Sequence, residues 1–317
     1  MNRVRLAKAV MHRFASAPVP PTERVGVLSE VFRHDLFVNG DEAARRRIMR
    51  ASAQAKYEDE HDYPWDHYFG VNLAPLLRGA NVLDLGCFTG GRSAAWYERY
   101  GLAHLSGVDV APIYVDAARR YAAERGINAD FRLGVGESLP FANGTFDAVL
   151  SFDVFEHVRD VRTTLAECAR VLRPGGRLFV VFPSYYQPIE HHLTLVTWAP
   201  FIHLLFDPPT LMRAYCQILD DRGPAADWYR RASPDLEPWE RLNTINGMTL
   251  ARFSGLVRDG GWRVVLHSRR PIGSVGRNLA RRLPVRLAAR AVAPLTAIPG
   301  IQEVFLHRIT YILERPR

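Results

Sequence analysis

Cysteine is nearly absent from this sequence: Cys87, Cys168 and Cys216 are the only three in 317 residues. They are widely spaced and odd in number, so neither a disulfide framework nor a zinc-ligand spacing is visible, and a reducing, cytoplasmic setting is the expectation. Also missing is any uninterrupted apolar run of about 18 residues, so no membrane-spanning helix is expected. Lysine is scarcer still. Only Lys8 and Lys56 occur, although Lys and Arg together number 41 and the formal net charge is +8. An arginine bias of this kind follows genome composition more often than nucleic-acid binding. No basic patch with interleaved aromatics adjoins the predicted site, so no nucleic acid is expected as partner. The N-terminus, Met1–Ala17, carries Arg3, Arg5, Lys8 and Arg13 without an acid. It is too broken by charge for a signal-peptide core. A plain basic helix is preferred there over an organelle transit segment. There is no internal repeat and no low-complexity tract.

What is present is a hydrophobic content of 48%, ample for a packed core, and one highly informative stretch, Asn81-Val-Leu-Asp-Leu-Gly-Cys-Phe-Thr-Gly-Gly91. Val82, Leu83 and Leu85 read as the end of a buried parallel strand. Gly86, Gly90 and Gly91 allow a tight turn close to a ligand before a helix over Arg92–Tyr100. A second apolar strand, Leu105–Val108, ends in Asp109, whose carboxylate can accept two hydrogen bonds from a ribose diol. An adenosine-type cofactor is implied.

The turn is a poor dinucleotide fingerprint. Phe88 stands where a glycine would let a pyrophosphate approach the backbone. Asp84 would repel phosphate but suits an ammonium, directly or through water. S-adenosylmethionine has an ammonium, a sulfonium and no phosphate.

Further motifs follow in order: Gly136-Glu137-Ser138-Leu139-Pro140-Phe141, Phe146-Asp147-Ala148-Val149-Leu150-Ser151 and Leu172-Arg173-Pro174-Gly175-Gly176-Arg177-Leu178. With Asp84-x-Gly86-x-x-x-Gly90 and Asp109, they resemble the class I S-adenosylmethionine-dependent methyltransferases, in their small-molecule branch, across about residues 80–183. The resemblance implies an α/β, Rossmann-like fold. Its seven-stranded sheet is mostly parallel, with helices on both faces and strand seven inserted antiparallel between five and six. It places Asp84, Gly86, Cys87, Gly90, Arg92, Asp109, Val110, Gly136, Glu137, Ser151 and Phe152 at the cofactor. Tyr57, Tyr63, Trp65 and Tyr68 precede the first strand, where relatives fold an aromatic segment over the methionine end; Tyr63 is taken as the cofactor contact. Arg92 either pairs with the methionine carboxylate or merely starts the helix. Two departures stand out. Phe88 replaces the middle glycine, and Val135 replaces an aspartate that many relatives use on the adenine amino group.

Four segments are expected: 1–78, a helical segment covering the cofactor site; 79–183, the cofactor core; 184–250, a helical lid inserted after strand five; and 251–317, the end of the sheet. Residues 1–30 read as loosely ordered, with Pro18, Pro20 and Pro21 as a break, and Asp66–Leu77 as one helix closing before Gly79. Strands are expected near 82–85, 105–109, 130–134, 146–151, 177–182, 263–267 and 305–313. The lid is aromatic (Trp198, Phe201, Phe206, Trp228, Trp239) and would overhang the carboxyl ends of the strands, where ligands bind. From Arg269 to Ile301 there are seven arginines and no acid, with Leu279, Leu283, Val285, Leu287, Val292 and Leu295 between them. A solvated basic helix pair is the preferred account, peripheral contact with an anionic membrane the alternative.

Methyl transfer asks chiefly for alignment, and for a base if the acceptor is a hydroxyl. His157, in Ser151-Phe-Asp-Val-Phe-Glu-His157 after strand four, is the first choice of base. Asp153 or Asp160 would orient it, and a helix from Asp153 would put Asp153 and His157 on one side. The alternative is that His157 only caps or packs. Glu190-His191-His192 is the second cluster, read as acceptor-binding or base rather than metal-ligating. A divalent cation through Asp153 with His191 or His192 is possible but not predicted. The expected activity is O-methylation of a sugar, polyketide or isoprenoid hydroxyl. A non-catalytic S-adenosylmethionine-binding regulator is the alternative and a nicotinamide oxidoreductase a distant third. Acceptor identity and oligomeric state are left open.

Overall fold

The computed structural model describes residues 2–15, 42–194, 196–222, 245–274 and 283–316. Pro18, Pro20, Pro21, Trp228, Trp239 and Leu279 lie outside them. The sheet has seven strands: β1 Asn81–Leu85, β2 His104–Asp109, β3 Ala129–Leu133, β4 Phe146–Phe152, β5 Leu172–Phe182, β6 Arg263–Ser268 and β7 Ile309–Glu314. Their order is β3-β2-β1-β4-β5-β7-β6. The first five run parallel, and β7 pairs antiparallel with both β5 and β6. Successive residues of β1 and β4 are buried on both faces, as expected where helices cover both sides of a parallel sheet.

The chain crosses back between strands through α5 (Gly91–Tyr100), α6 (Pro112–Glu124) and α7 (Val161–Val171), and α10 (Leu250–Asp259) leads into β6. Ahead of the sheet lie α1 (Arg3–Arg13), α2 (Glu42–Asp62), α3 (Asp66–Phe69) and α4 (Ala74–Leu77). After β5 come α8 (Ile202–Leu205) and α9 (Pro208–Arg222); after β6, α11 (Leu283–Val292) and α12 (Gln302–Phe305). Two large apolar clusters flank the sheet. One packs Phe155, Leu165, Phe182 and Phe253 beneath α7 and α10; the other packs Trp65, Trp96 and Phe179 beneath α3 and α5.

Three expectations need correction. The single helix over Asp66–Leu77 is two. Gly70 ends α3 in the left-handed region at φ 75°, and Asp66 Oδ1 accepts the Leu73 N–H at 2.6 Å, fixing the break. The N-terminus is not loose at its start: α1 is capped by Asn2 and buries Ala7 and Met11. Those two residues join Leu193, Ile202, Leu211 and Ile218 in a separate small core, so α1 packs on the segment after β5. Strand seven begins at Ile309, because α12 takes Gln302–Phe305.

Candidate active site

The site is assembled where β1, β2 and β4 end. At β1 the backbone turns so that Gly86 N and Cys87 N both donate to Val108 O, at 2.8 and 3.0 Å. Asp84 is buried and accepts the Ser93 hydroxyl at 2.5 Å; burial pushes its carboxyl up to about 7. Asp109, at the tip of β2, accepts Phe88 N at 2.9 Å and Ala111 N at 3.1 Å, and burial raises it to about 6. Each Asp109 oxygen keeps a lone pair for a ribose hydroxyl. Beyond the adjacent ends of β2 and β3, Val110 and Val135 expose their side chains.

The glycines divide their labour. A Cβ on Gly91 would lie 1.9 Å from the Ala53 carbonyl of α2, and one on Gly90 2.8 Å from Ala118 Cα of α6. These two therefore serve the close crossing of helices. Gly86, at φ 80°, makes the turn itself. Phe88 also adopts a left-handed φ, 48°, and its ring packs 4.3 Å from Tyr114 outside the turn.

The surroundings of Arg92 are charged. Arg92 lies in the first turn of α5, 3.8 Å above the Phe152 ring, with Nε 3.7 Å from Glu60 Oε2. Glu60 is buried and raised to about 7. Lys56 of α2 is lowered to about 8 by burial and by Arg92. Ser151 is fully buried with no partner for Oγ. Of the four aromatics before β1, Trp65 stacks on Trp96, Tyr57 donates to Glu98, and Tyr63 stacks on His67. It is Tyr68 that meets Phe152, edge to face at 5.2 Å, and stacks near His307.

Past β4 the chain does not enter a helix at Asp153. It makes a turn, with His157 N donating to Val154 O at 2.8 Å, and α7 starts only at Val161. Asp160 caps α7, accepting Arg162 N and Thr163 N. The Glu137 side chain fastens the same loop, accepting Arg159 N and Asp160 N at 2.7 and 3.0 Å. Gly136 is tucked against Thr164 of α7.

Asp153 and His192 both sit at left-handed φ, 57° and 58°, which costs about 1–2 kcal/mol for such residues. Strain of this kind collects where the surrounding structure holds a functional geometry. His192 brings its ring centroid to 4.7 Å from that of His157. Between them lies Glu156, buried, with neither carboxylate oxygen hydrogen-bonded and Oε1 3.9 Å from His157 Nε2. Burial and Asp153 hold Glu156 well above the usual carboxylate range, and burial holds His192 well below its own. Ligand atoms of Glu156, His157 and His192 lie within 4.8 Å of one another. His191 does not join them. Its ring is fully buried, Nε2 on Ala199 O and Nδ1 accepting Leu193 N, so it braces the segment after β5. Sequence reasoning passed over Glu156 and Lys56 as active groups, and Arg308 altogether. For Glu156 the signal was its place between Asp153 and His157; Arg308 follows no motif.

A family model described as a methyltransferase domain matches residues 83–180. Over 184 residues the chain is 40% identical to a ubiquinone biosynthesis O-methyltransferase of Xylella fastidiosa (strain 9a5c), a match covering 55% of this chain and 71% of that protein. The chain belongs to the class I S-adenosylmethionine-dependent methyltransferases. Another ubiquinone biosynthesis O-methyltransferase, of Methylocella silvestris, is 40% identical over 198 residues, covering 59% of this methyltransferase and 66% of that one. Among solved structures, an S-adenosylmethionine-dependent methyltransferase from Mesorhizobium loti shares 16% identity at a TM-score of 0.46, covering 76% and 93% of the two chains. The site of the present methyltransferase fits its donor. A buried acid with a single hydroxyl partner suits the ammonium, a strand-end carboxylate suits the ribose, and exposed valines beyond it suit the adenine.

Proposed function

We propose that this methyltransferase acts on a hydroxyl of a small molecule, a phenol of the kind a ubiquinone precursor carries, with His157 as general base. The relatives named for ubiquinone biosynthesis support the acceptor class. The observation that carries the base is Glu156, a buried carboxylate without a hydrogen-bond partner beside His157 Nε2.

S-adenosylmethionine, when bound, supplies a methyl group already activated on a sulfonium. Asp109 holds the ribose, Asp84 faces the ammonium, and the Arg92–Phe152 pair, with Tyr63 or Tyr68 over it, borders the methionine end. The protein then has to align the acceptor oxygen with the methyl carbon and take its proton. As the oxygen–carbon bond forms, the carbon–sulfur pair returns to sulfur and the hydroxyl proton passes to His157. Glu156, with Oε1 3.9 Å from His157 Nε2, orients the imidazole for that transfer. His157→Ala should lower kcat by about 10²–10⁴-fold with donor affinity unchanged. An unchanged rate with a catechol acceptor, read by mass spectrometry of the methylated product, would move the base role to His192.

A second reading has its own support. Glu156, His157 and His192 form a ligand set for a divalent cation, with Asp153 adjacent. Such an ion would lower the pKa of a coordinated phenol in place of a base. Activity abolished by chelator and restored by Mg²⁺ or Mn²⁺ would establish the ion; indifference to chelator would leave His157 as base. Peripheral contact with an anionic membrane through 269–301 belongs to the same proposal, since Leu283 and Leu287 of α11 are 65% and 54% exposed beside Arg290.

A further inference from the structure

Arg308 lies just before β7 and belongs to none of the donor contacts. Its side chain is 12% exposed. Nη1 is 3.3 Å from Asp153 Oδ1, on the turn after β4, and Nη2 is 3.3 Å from Glu190 Oε1, on the segment leaving β5. Tyr68 of α3 and Glu156 complete its electrostatic surroundings. Nε and Nη1 have no hydrogen-bond acceptor. The guanidinium is thus kept in the interior by charge on two sides and not by a filled set of hydrogen bonds.

Its position between the two acids has a mechanical result. Asp153, Glu156 and Glu190 meet in a poorly solvated space, where like charges repel strongly. The cation among them turns that repulsion into attraction between the β4 turn and the chain beyond β5. Two residues after Glu190 comes His192, whose ring lies against His157. Holding Glu190 therefore holds His192. A guanidinium can meet two carboxylates at once in fixed directions; an ammonium on a flexible stem meets them less well.

We propose that Arg308 is a positioning residue: it latches the segment 185–206 onto the turn after β4, setting His192 against His157 and closing the acceptor side of the site. The latch rests on the acceptor site proposed above for its catalytic consequence, but not for its structural one.

The test is hydrogen–deuterium exchange of the full chain with S-adenosylhomocysteine added, comparing wild type with Arg308→Gln, Arg308→Lys and Glu190→Gln. Arg308→Gln and Glu190→Gln should each speed exchange in 188–206 by about tenfold or more while β1 and β4 stay protected. Affinity for S-adenosylhomocysteine should change less than about twofold, and Arg308→Lys should fall between. With a catechol acceptor, KM for the acceptor should rise about tenfold while KM for the donor holds. Unchanged exchange in 188–206 in both Gln variants would overturn the latch. So would equal loss of protection in the sheet and of cofactor affinity, which would make Arg308 a general support of the fold. If Arg308→Gln does not fold, Glu190→Gln carries the test, because it leaves Arg308 paired with Asp153. Faster lid exchange without methylation of any phenol would keep the latch and refute the phenol acceptor.

Discussion

At the scale of single residues, the donor site is governed by acids placed where acids are costly. Asp84 is raised to about 7 by burial, which outweighs the Ser93 hydroxyl and the Arg92 charge that pull it down. A cationic ligand binds the ionised form, so affinity must fall as pH falls through that value. From pH 8 to pH 6 the ionised fraction drops about tenfold, and the dissociation constant for S-adenosylmethionine should rise by about that factor. Calorimetric titration at the two pH values checks it, and Asp84→Asn should bind weakly at both with the dependence flattened. The places of Asp84, Gly86 and Asp109 were legible in sequence because strand ends and backbone turns are encoded by a local pattern. Arg308 was not, and Glu190 was read only as part of the Glu190-His191-His192 cluster, because the pairing of the two depends on which distant segments meet. His191 misled for a related reason. It is chemically able, but its neighbours Leu193 and Ala199 claim both ring nitrogens, and only the folded loop shows that.

Elements were easier to read than side chains. All seven strands fall close to where alternating apolar segments put them, and the β5-β7-β6 order agrees with the family resemblance. Helix continuity was harder: the run from Asp66 to Leu77 holds Gly70, which ends the first helix, and Pro75, which suits the first turn of the second, and Leu73 N donating to Asp66 Oδ1 fixes the break between them. Two glycines give a contrasting prediction. Gly91→Ala forces a methyl into the Ala53 carbonyl and should destabilise by about 1–3 kcal/mol. Gly255→Ala, inside α10, meets nothing nearer than Arg258 Nη2 at 3.9 Å and should stabilise by about 0.5–1 kcal/mol. Urea denaturation of both variants measures the difference, and a Gly91→Ala protein as stable as wild type would contradict the tight crossing of α2 and α5.

At the scale of the whole molecule, charge and apolar surface are distributed unevenly. Among the described residues no helix is long and apolar enough to cross a membrane. The proposed membrane contact instead needs the exposed Leu283 and Leu287 of α11 together with Arg290. Co-sedimentation with vesicles rich in phosphatidylglycerol should be seen for the wild type and be lost in a Leu283→Asp, Leu287→Asp variant whose donor affinity is intact. Equal binding to neutral and anionic vesicles would remove the basis for the proposal.

The antiparallel seat of β7 has one more consequence. Residues 309–314 fill the gap between β5, which ends at Phe182, and β6, which ends at Ser268. During synthesis, β5 therefore leaves the ribosome with a bare hydrogen-bonding edge and waits for more than a hundred further residues before it is covered. Arg308 emerges at the same late moment. The turn after β4 therefore gains its Arg308 partner only when the sheet closes, well after the chain has shaped the glycine turn after β1. Long-range pairing of this sort slows folding and leaves an edge open to wrong partners.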